Sequence, residues 1–206
     1  MKFSAYVVST FENVYHNYIE ILVTNFLWVI FSLGIVTIPA ALAAMFAQMN
    51  NLARHKRVSR ETFVEAFKTY FWISWRWLLL NLVVYGGIGG VLSVYIQREV
   101  ESFLWFAVIL IVVGIIWTLL QLFMLPMLVE MNEKRILTAI RNCAVIYLKS
   151  PGPLYGTGLI IFILVLLSSY VLYIPWLMFF GSISAYLINR TLLWVLGFGE
   201  ELDRIG

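Results

Sequence analysis

The chain has 206 residues, 62% of them hydrophobic and only 12% charged, with a formal net charge of +3 and a mean hydropathy of +0.91. A soluble domain is nearer half apolar and about a quarter charged, so a water-soluble fold of this size would lack the polar surface to cover itself. The single cysteine, Cys143, excludes an internal disulfide and leaves the redox compartment open. The small excess of basic charge has a membrane explanation, given below, and nucleic acid is not an expected partner.

The N-terminal segment Phe3–Glu20 is mixed in character and contains Glu12, His16 and Asn17. A signal peptide would place an apolar run there, followed by a small-residue cleavage site. Instead Val7, Phe11, Val14, Tyr18 and Leu22 recur at helical spacing. Residues 1–20 therefore read as an interfacial helix leading into a first span.

Charge is then missing from four stretches: Ile21–Ala53, Trp77–Ile96, Ser102–Val129 and Ser150–Asn189. A helix needs about 20 residues to cross the hydrocarbon core, and only helices or closed barrels satisfy the backbone there. The runs are continuous rather than alternating, which selects helices. The expected fold is all-α: a single polytopic membrane helical bundle with spans near 21–38, 77–96, 103–125, 154–173 and 175–196. Pro175 divides the last apolar run, and Tyr170, Tyr173 and Trp176 beside it suit a membrane–water interface.

The segment after the first span carries Arg54, Lys56, Arg57, Arg60, Lys68 and Arg76, and that after the third carries Lys134, Arg135, Arg141 and Lys149. The turn after the second holds only Arg98, with Glu99 and Glu101. With five spans and Arg190 and Arg204 counted, 12 of the 14 Lys and Arg residues share one side. The positive-inside rule makes that side cytoplasmic, with the C-terminus inside and the N-terminus outside.

The two basic segments resemble each other. Phe63, Ala66, Phe67, Lys68 and Arg76 correspond, at one constant offset, to Ile136, Ala139, Ile140, Arg141 and Lys149. Upstream of each, a span is expected to end at a proline, Pro39 or Pro126, and an apolar helical stretch to follow it, ending near Met45 or Met131. The pattern suggests a parallel repeat with units 21–96 and 103–173. Each segment reads as a basic amphipathic helix whose apolar face lies on the inner membrane surface or against the spans, as an interfacial connector or as a docking surface for a partner protein. The candidate interfacial or docking residues are Phe63, Phe67, Lys68, Arg76, Ile136, Ile140, Arg141 and Lys149.

The run Thr24-Asn-Phe-Leu-Trp28 through Thr37-Ile-Pro39-Ala-Ala to Met45, with Phe63, Ala66, Phe67, Lys68 and Phe71 downstream, resembles the YesL family of small bacterial membrane proteins, a family classed by a domain of unknown function. The resemblance is strong over about Asn25–Tyr70. Gly34 stands where the family often has proline, and the Gly-Pro-Ala step is shortened to Ile38-Pro39-Ala40. The resemblance implies a bacterial cytoplasmic membrane protein with no assigned reaction, accompanying carbohydrate ABC importers and their permease subunits.

No phosphate-binding loop occurs. Gly86-Gly-Ile-Gly-Gly90 falls inside an expected span, where glycines four apart suit close helix packing. His16, His55 and Cys143 lack zinc spacing. Glu12, Glu20, Glu99 and Glu101 are expected on the opposite side from Glu130 and Glu133. Neither an enzyme nor a cofactor nor a metal is therefore expected. Polar groups within spans are costly and carry a functional expectation; these are Asn25, Asn81, Gln121, Glu130 and the pair Asn189-Arg190. Arg190 has three readings: snorkelling to the inner surface, pairing with Glu130, or binding a substrate. The expected role is a non-catalytic accessory or scaffold protein. The alternative is a small transporter or channel, a homo-oligomer because five spans alone form a thin bundle.

Overall fold

The computed structural model describes the backbone of residues 3–97, 103–171 and 173–198, and the side chains of 8–95, 105–166 and 180–198. Among these residues every regular element is helical: α1 (Phe3–His16), α2 (Tyr18–Phe31), a 3₁₀ turn (Ile35–Thr37), α3 (Ile38–Ala53), α4 (Arg60–Gln97), α5 (Phe103–Glu130), α6 (Ile136–Lys149), α7 (Pro151–Val171), α8 (Tyr173–Leu193) and a π-helical turn (Trp194–Phe198). The turn expected at Arg98, Glu99 and Glu101, the residue Arg204, and the side chains of Tyr170, Tyr173 and Trp176 lie outside the described residues.

The uncharged run Ile21–Ala53 holds two helices, in line with a span followed by an apolar helical stretch, but the break between them does not fall at Pro39. The chain turns at Ser32–Thr37 instead. Gly34 is extended (φ −91, ψ 125), and Thr37 closes the turn by donating its hydroxyl and its N–H to the Gly34 carbonyl at 2.6 and 2.9 Å. Pro39 sits in the first turn of α3. A missing N–H costs nothing there and the fixed φ suits a helix start, so this proline opens a helix rather than ending one.

α3 becomes the most enclosed part of the molecule. From Pro39 to Asn50 every residue is buried except half-buried Leu42. Five alanines (Ala40, Ala41, Ala43, Ala44 and Ala47) let its neighbours approach closely. The other central helix is α8, buried without interruption from Ser184 to Leu193. A helix buried on all sides belongs at the middle of a bundle. α2, α4 and α5 pack around α3, and α2, α5 and α7 around α8. The helices also approach closely at Gly181 of α8, where a Cβ would lie 3.0 Å from Asn25 Oδ1 of α2 and 3.4 Å from Met45 Sδ of α3.

α4 is one unbroken helix of 38 residues, about 57 Å long at 1.5 Å per residue. The basic amphipathic helix expected around Phe63 and the span expected at 77–96 are its two halves. Nothing interrupts them, since Arg60–Tyr85 contains neither glycine nor proline. The first half runs antiparallel to α3: Gln48 Nε2 donates to the Ser59 carbonyl at 2.7 Å, and Trp75 Nε1 to the Val36 carbonyl at 2.9 Å. The second half pairs with α5, through Tyr85 with Thr118 at 2.9 Å and the rings of Tyr95 and Phe106 at 5.3 Å. Away from the strip that packs on α4, which includes Ala107 and Gly114, α5 exposes apolar side chains at Val108, Ile109, Ile111, Val112, Val113, Ile115 and Ile116.

Pro126 lies inside α5, so it does not end a span. α6 folds back against α5, with the Tyr147 and Phe123 rings 5.7 Å apart and the Tyr147 hydroxyl donating to the Leu119 carbonyl at 2.7 Å. At Ser150 the chain bends by 104° into α7. The two basic segments therefore differ in form: one runs straight into its following helix and the other turns sharply. Three helices, Ile35–Ala53, Arg60–Tyr95 and Trp105–Glu130, are long and apolar enough to cross a membrane, and a fourth joins them if the bent pair α6–α7 is one span. The expected span at 21–38 is reduced to α2, whose 14 residues fall short of a crossing on their own.

The glycines separate by environment. Gly181→Ala is expected to lower stability in detergent by about 1–3 kcal/mol through overpacking. At Gly86 an added Cβ meets nothing within 4 Å, so Gly86→Ala should be neutral or gain up to about 1 kcal/mol from helix propensity. Thermal unfolding of the two variants side by side checks the contrast.

Candidate functional site

The polar groups of the bundle gather in two places. The first lies where the C-terminal ends of α3, α5 and α8 converge. Glu130, in the last turn of α5, forms an ion pair with Arg54, just beyond the end of α3. It also accepts from Asn50 Nδ2 at 3.1 Å. Asn50 Nδ2 lies 3.4 Å from Asn189 Oδ1, and Asn189 donates to the carbonyls of Phe46 at 3.0 Å and Ala185 at 2.8 Å. The Arg54 guanidinium also stacks over the Phe198 ring, 4.7 Å from its centroid. A cation at this point is favoured by the negative ends of three helix dipoles as well as by the carboxylate. The side chains of the Arg54–Glu130 pair are 22% and 17% exposed, so the pair is shielded from most of the solvent.

Beside this pair lies a cavity of about 550 Å³ between α3, α4, the end of α5 and the π turn. Nine of its thirteen lining residues are polar, among them Asn51, Lys56, Glu65, Thr69 and Tyr70. Lys134 reaches Tyr70 from the α5–α6 turn, its Nζ 3.1 Å from the hydroxyl and 4.6 Å from the ring centroid. Both basic turns, 54–60 and 131–135, thus edge this end of the bundle.

The second polar assembly lies between α4 and α5. Gln121 Oε1 accepts from Trp77 Nε1 at 2.7 Å and from Asn81 Nδ2 at 3.2 Å. Asn81 Oδ1 accepts from Trp117 Nε1 at 3.0 Å. Two indoles and two amides so consume nearly all of one another's hydrogen-bonding capacity, and Gln121 Nε2 is the buried donor left over. In an apolar surrounding such a closed set ties two helices together.

Other expected residues go elsewhere. Asn25 is fully buried and accepts from the Ser182 N–H and hydroxyl, both at 3.1 Å, joining α2 to α8. Arg190 is 2% exposed, so it does not snorkel. Nor does it meet Glu130: it donates to the Tyr186 hydroxyl at 3.1 Å and to Ser9 of α1 at 2.8 Å. Of the eight docking candidates, the apolar four turn inward. Phe63 is buried, Phe67, Ile136 and Ile140 are half-buried, and Phe31 packs 5.3 and 5.2 Å from the rings of Phe63 and Phe67. Lys68, Arg76, Arg141 and Lys149 are exposed. The faces that carry the apolar candidates are therefore internal packing surfaces, and the basic candidates lie on the open side together with exposed Trp72, Leu137 and Leu148.

Gln48, Asn50 and Arg54 did not figure among the expected residues, nor did Trp77 and Trp117. The available signal was the cluster of amides at Gln48, Asn50 and Asn51 inside an otherwise uncharged run, followed by Arg54. Gln48 is fully buried and bridges α3 to the start of α4 through Ser59 and Thr62.

A family model described as "Protein of unknown function, DUF624" matches residues 21–96. That segment is α2, α3 and α4: the inner hairpin and the long helix packed on it. The chain matches no curated protein and no solved structure.

Removing either partner of the Arg54–Glu130 pair, as in Arg54→Ala or Glu130→Ala, should cost about 1–3 kcal/mol by stranding a shielded charge. The charge swap Arg54→Glu with Glu130→Arg should recover part of the loss, whereas Arg190→Glu with Glu130→Arg should not; unfolding of the four variants in detergent reads this out. Asn81→Leu strands Trp117 Nε1 and should cost about 0.6–2 kcal/mol in the same assay.

Proposed function

We propose that this protein is a non-catalytic accessory protein of a bacterial cytoplasmic membrane, acting beside the permease subunits of a carbohydrate importer. The observation that carries the reading is the surface of the α4–α5 pair. Its apolar side chains are exposed along α5 and at Leu79, Leu82, Val83 and Val94 of α4. Outside the packed core, that surface suits lateral contact with lipid and with another membrane protein's helices. The carbohydrate link rests on the family resemblance alone, and fold-level likeness does not fix function.

The same reading carries an orientation. Ser9, midway along α1, contacts Arg190, near the end of α8. α1 thereby lies toward the end of the bundle that holds the basic turns. Counted with α1 and α2 as one crossing, followed by α3, α4, α5, α7 and α8, the chain crosses six times, with both termini and both basic turns in the cytoplasm. This revises the expectation of an external N-terminus, which came from counting one span, 21–38, before the first basic segment.

A second reading, a small transporter, draws support from the polar cavity and from the buried amides of the central helices α3 and α8. Two experiments separate the possibilities. With Cys143 replaced by serine, single cysteines at Lys2 and Arg60 should react with a membrane-impermeant maleimide from the same, cytoplasmic side; labelling from opposite sides would restore an odd number of crossings. Mixed with purified importer permease subunits in nanodiscs, the protein should co-elute with them and catalyse no solute flux in liposomes on its own. Flux from the protein alone would favour the transporter, and elution always apart from the permease would count against the accessory role.

A further inference from the structure

We infer that the cavity at the basic end of the bundle binds a compact zwitterion, an ammonium and an anionic group joined by a short spacer, of the phosphoethanolamine type. The cavity's inner charges are already spoken for. Arg54 and Glu130 neutralise each other, and Asn50 and Phe198 complete their contacts. Two opposite charges are left on its rim: Lys56 in the α3–α4 turn and Glu65 on α4. Both are exposed, and among the described residues neither side chain has a hydrogen-bond or ion-pair partner. Asn51 and Thr69 line the same cavity, again with side chains that have no partner among the described residues.

A lone anion would meet Glu65 as well as Lys56, and a lone cation the reverse. A ligand carrying both charges gains from each and leaves the cavity's balance undisturbed. Its anionic end is drawn to Lys56, which has Arg57 beside it in the chain. Its ammonium end is drawn to Glu65. A volume of about 550 Å³ lies within the usual range of small-ligand sites, about 300–1,000 Å³. The cavity sits among the basic turns that mark a membrane surface, so the zwitterion has two sources: a phosphatidylethanolamine headgroup or a free solute of the same chemistry.

Calorimetry on the whole chain in a non-ionic maltoside detergent, which carries no zwitterion, titrated with glycerophosphoethanolamine, tests the shared chemistry. Binding should be at least about tenfold tighter than for inorganic phosphate or ethanolamine alone. K56E and E65K should each weaken it by about three- to fivefold, the scale of an exposed charge contact. The double variant K56E/E65K should recover affinity with the ligand reversed. Both residues are exposed, and unchanged thermal unfolding of the variants confirms that folding is intact. A parallel arm measures phosphatidylethanolamine co-purifying from mixed-lipid nanodiscs against phosphatidylglycerol: enrichment in the wild type that is lost in K56E identifies the lipid as the source, and soluble binding without enrichment identifies a free solute. No binding of the zwitterion in either arm, equal binding of phosphate alone, or indifference to both single variants would overturn the inference.

Discussion

Burial of α3 on every side is the constraint from which the rest of the bundle follows. A helix with no face to lipid or water must be covered by its neighbours, and each of them must come close to cover it. The alanines of α3 make that approach geometrically feasible, and Gly181 of α8 does the same from the facing helix. Once α3 and α8 lie together at the centre, any polar side chain they carry must be satisfied by another helix, because no solvent reaches it. Asn50, Asn189 and Gln48 each find such partners.

The same constraint explains why charge collects at one end. α3, α5 and α8 all finish near one another, and their unsatisfied carbonyl ends favour a cation. Arg54 supplies it, and Glu130 prevents it from being left as a solitary shielded charge. Arg190, near the end of α8, is drawn instead toward α1: Ser9 there and Tyr186 of α8 itself accept from its guanidinium. The polar cavity is the space that remains on the α4 side of this junction. The indole–amide set between α4 and α5 is a separate device: it fastens the part of α4 that has run past the end of α3.

Much of the architecture was legible from the chain. The helical class and the membrane character follow from uncharged runs of 20 residues or more, and the bounds of α5 and of the α7–α8 pair differ only modestly from those expected. The division of Ile21–Ala53 was misread because Pro39 was taken as a stop. A proline is equally at home in the first turn of a helix, and the choice depended on Gly34 and Thr37 forming a turn just ahead of it. The basic segments were read only in part. Their apolar faces were assigned to the inner membrane surface or to the spans, with a docked partner as a sharper alternative, since a helical stripe shows that something covers it but not what; packing against neighbouring helices is the outcome. Phe63 is covered by Phe31, and Cys143 lies in the same core cluster as Phe123 and Tyr147.

The sequence by itself determined the solvent. Transfer free energy is additive over residues, so long uncharged stretches commit the chain to helices in a membrane whatever their later arrangement, and the distribution of lysine and arginine marks one side. Which polar groups meet was left to the tertiary structure. Glu130 had several cations available to it along the chain, and Arg54 became its partner because the burial of α3 brings the ends of α3 and α5 together. Pairing depends on where helices end in space, and packing sets that, not proximity in the chain.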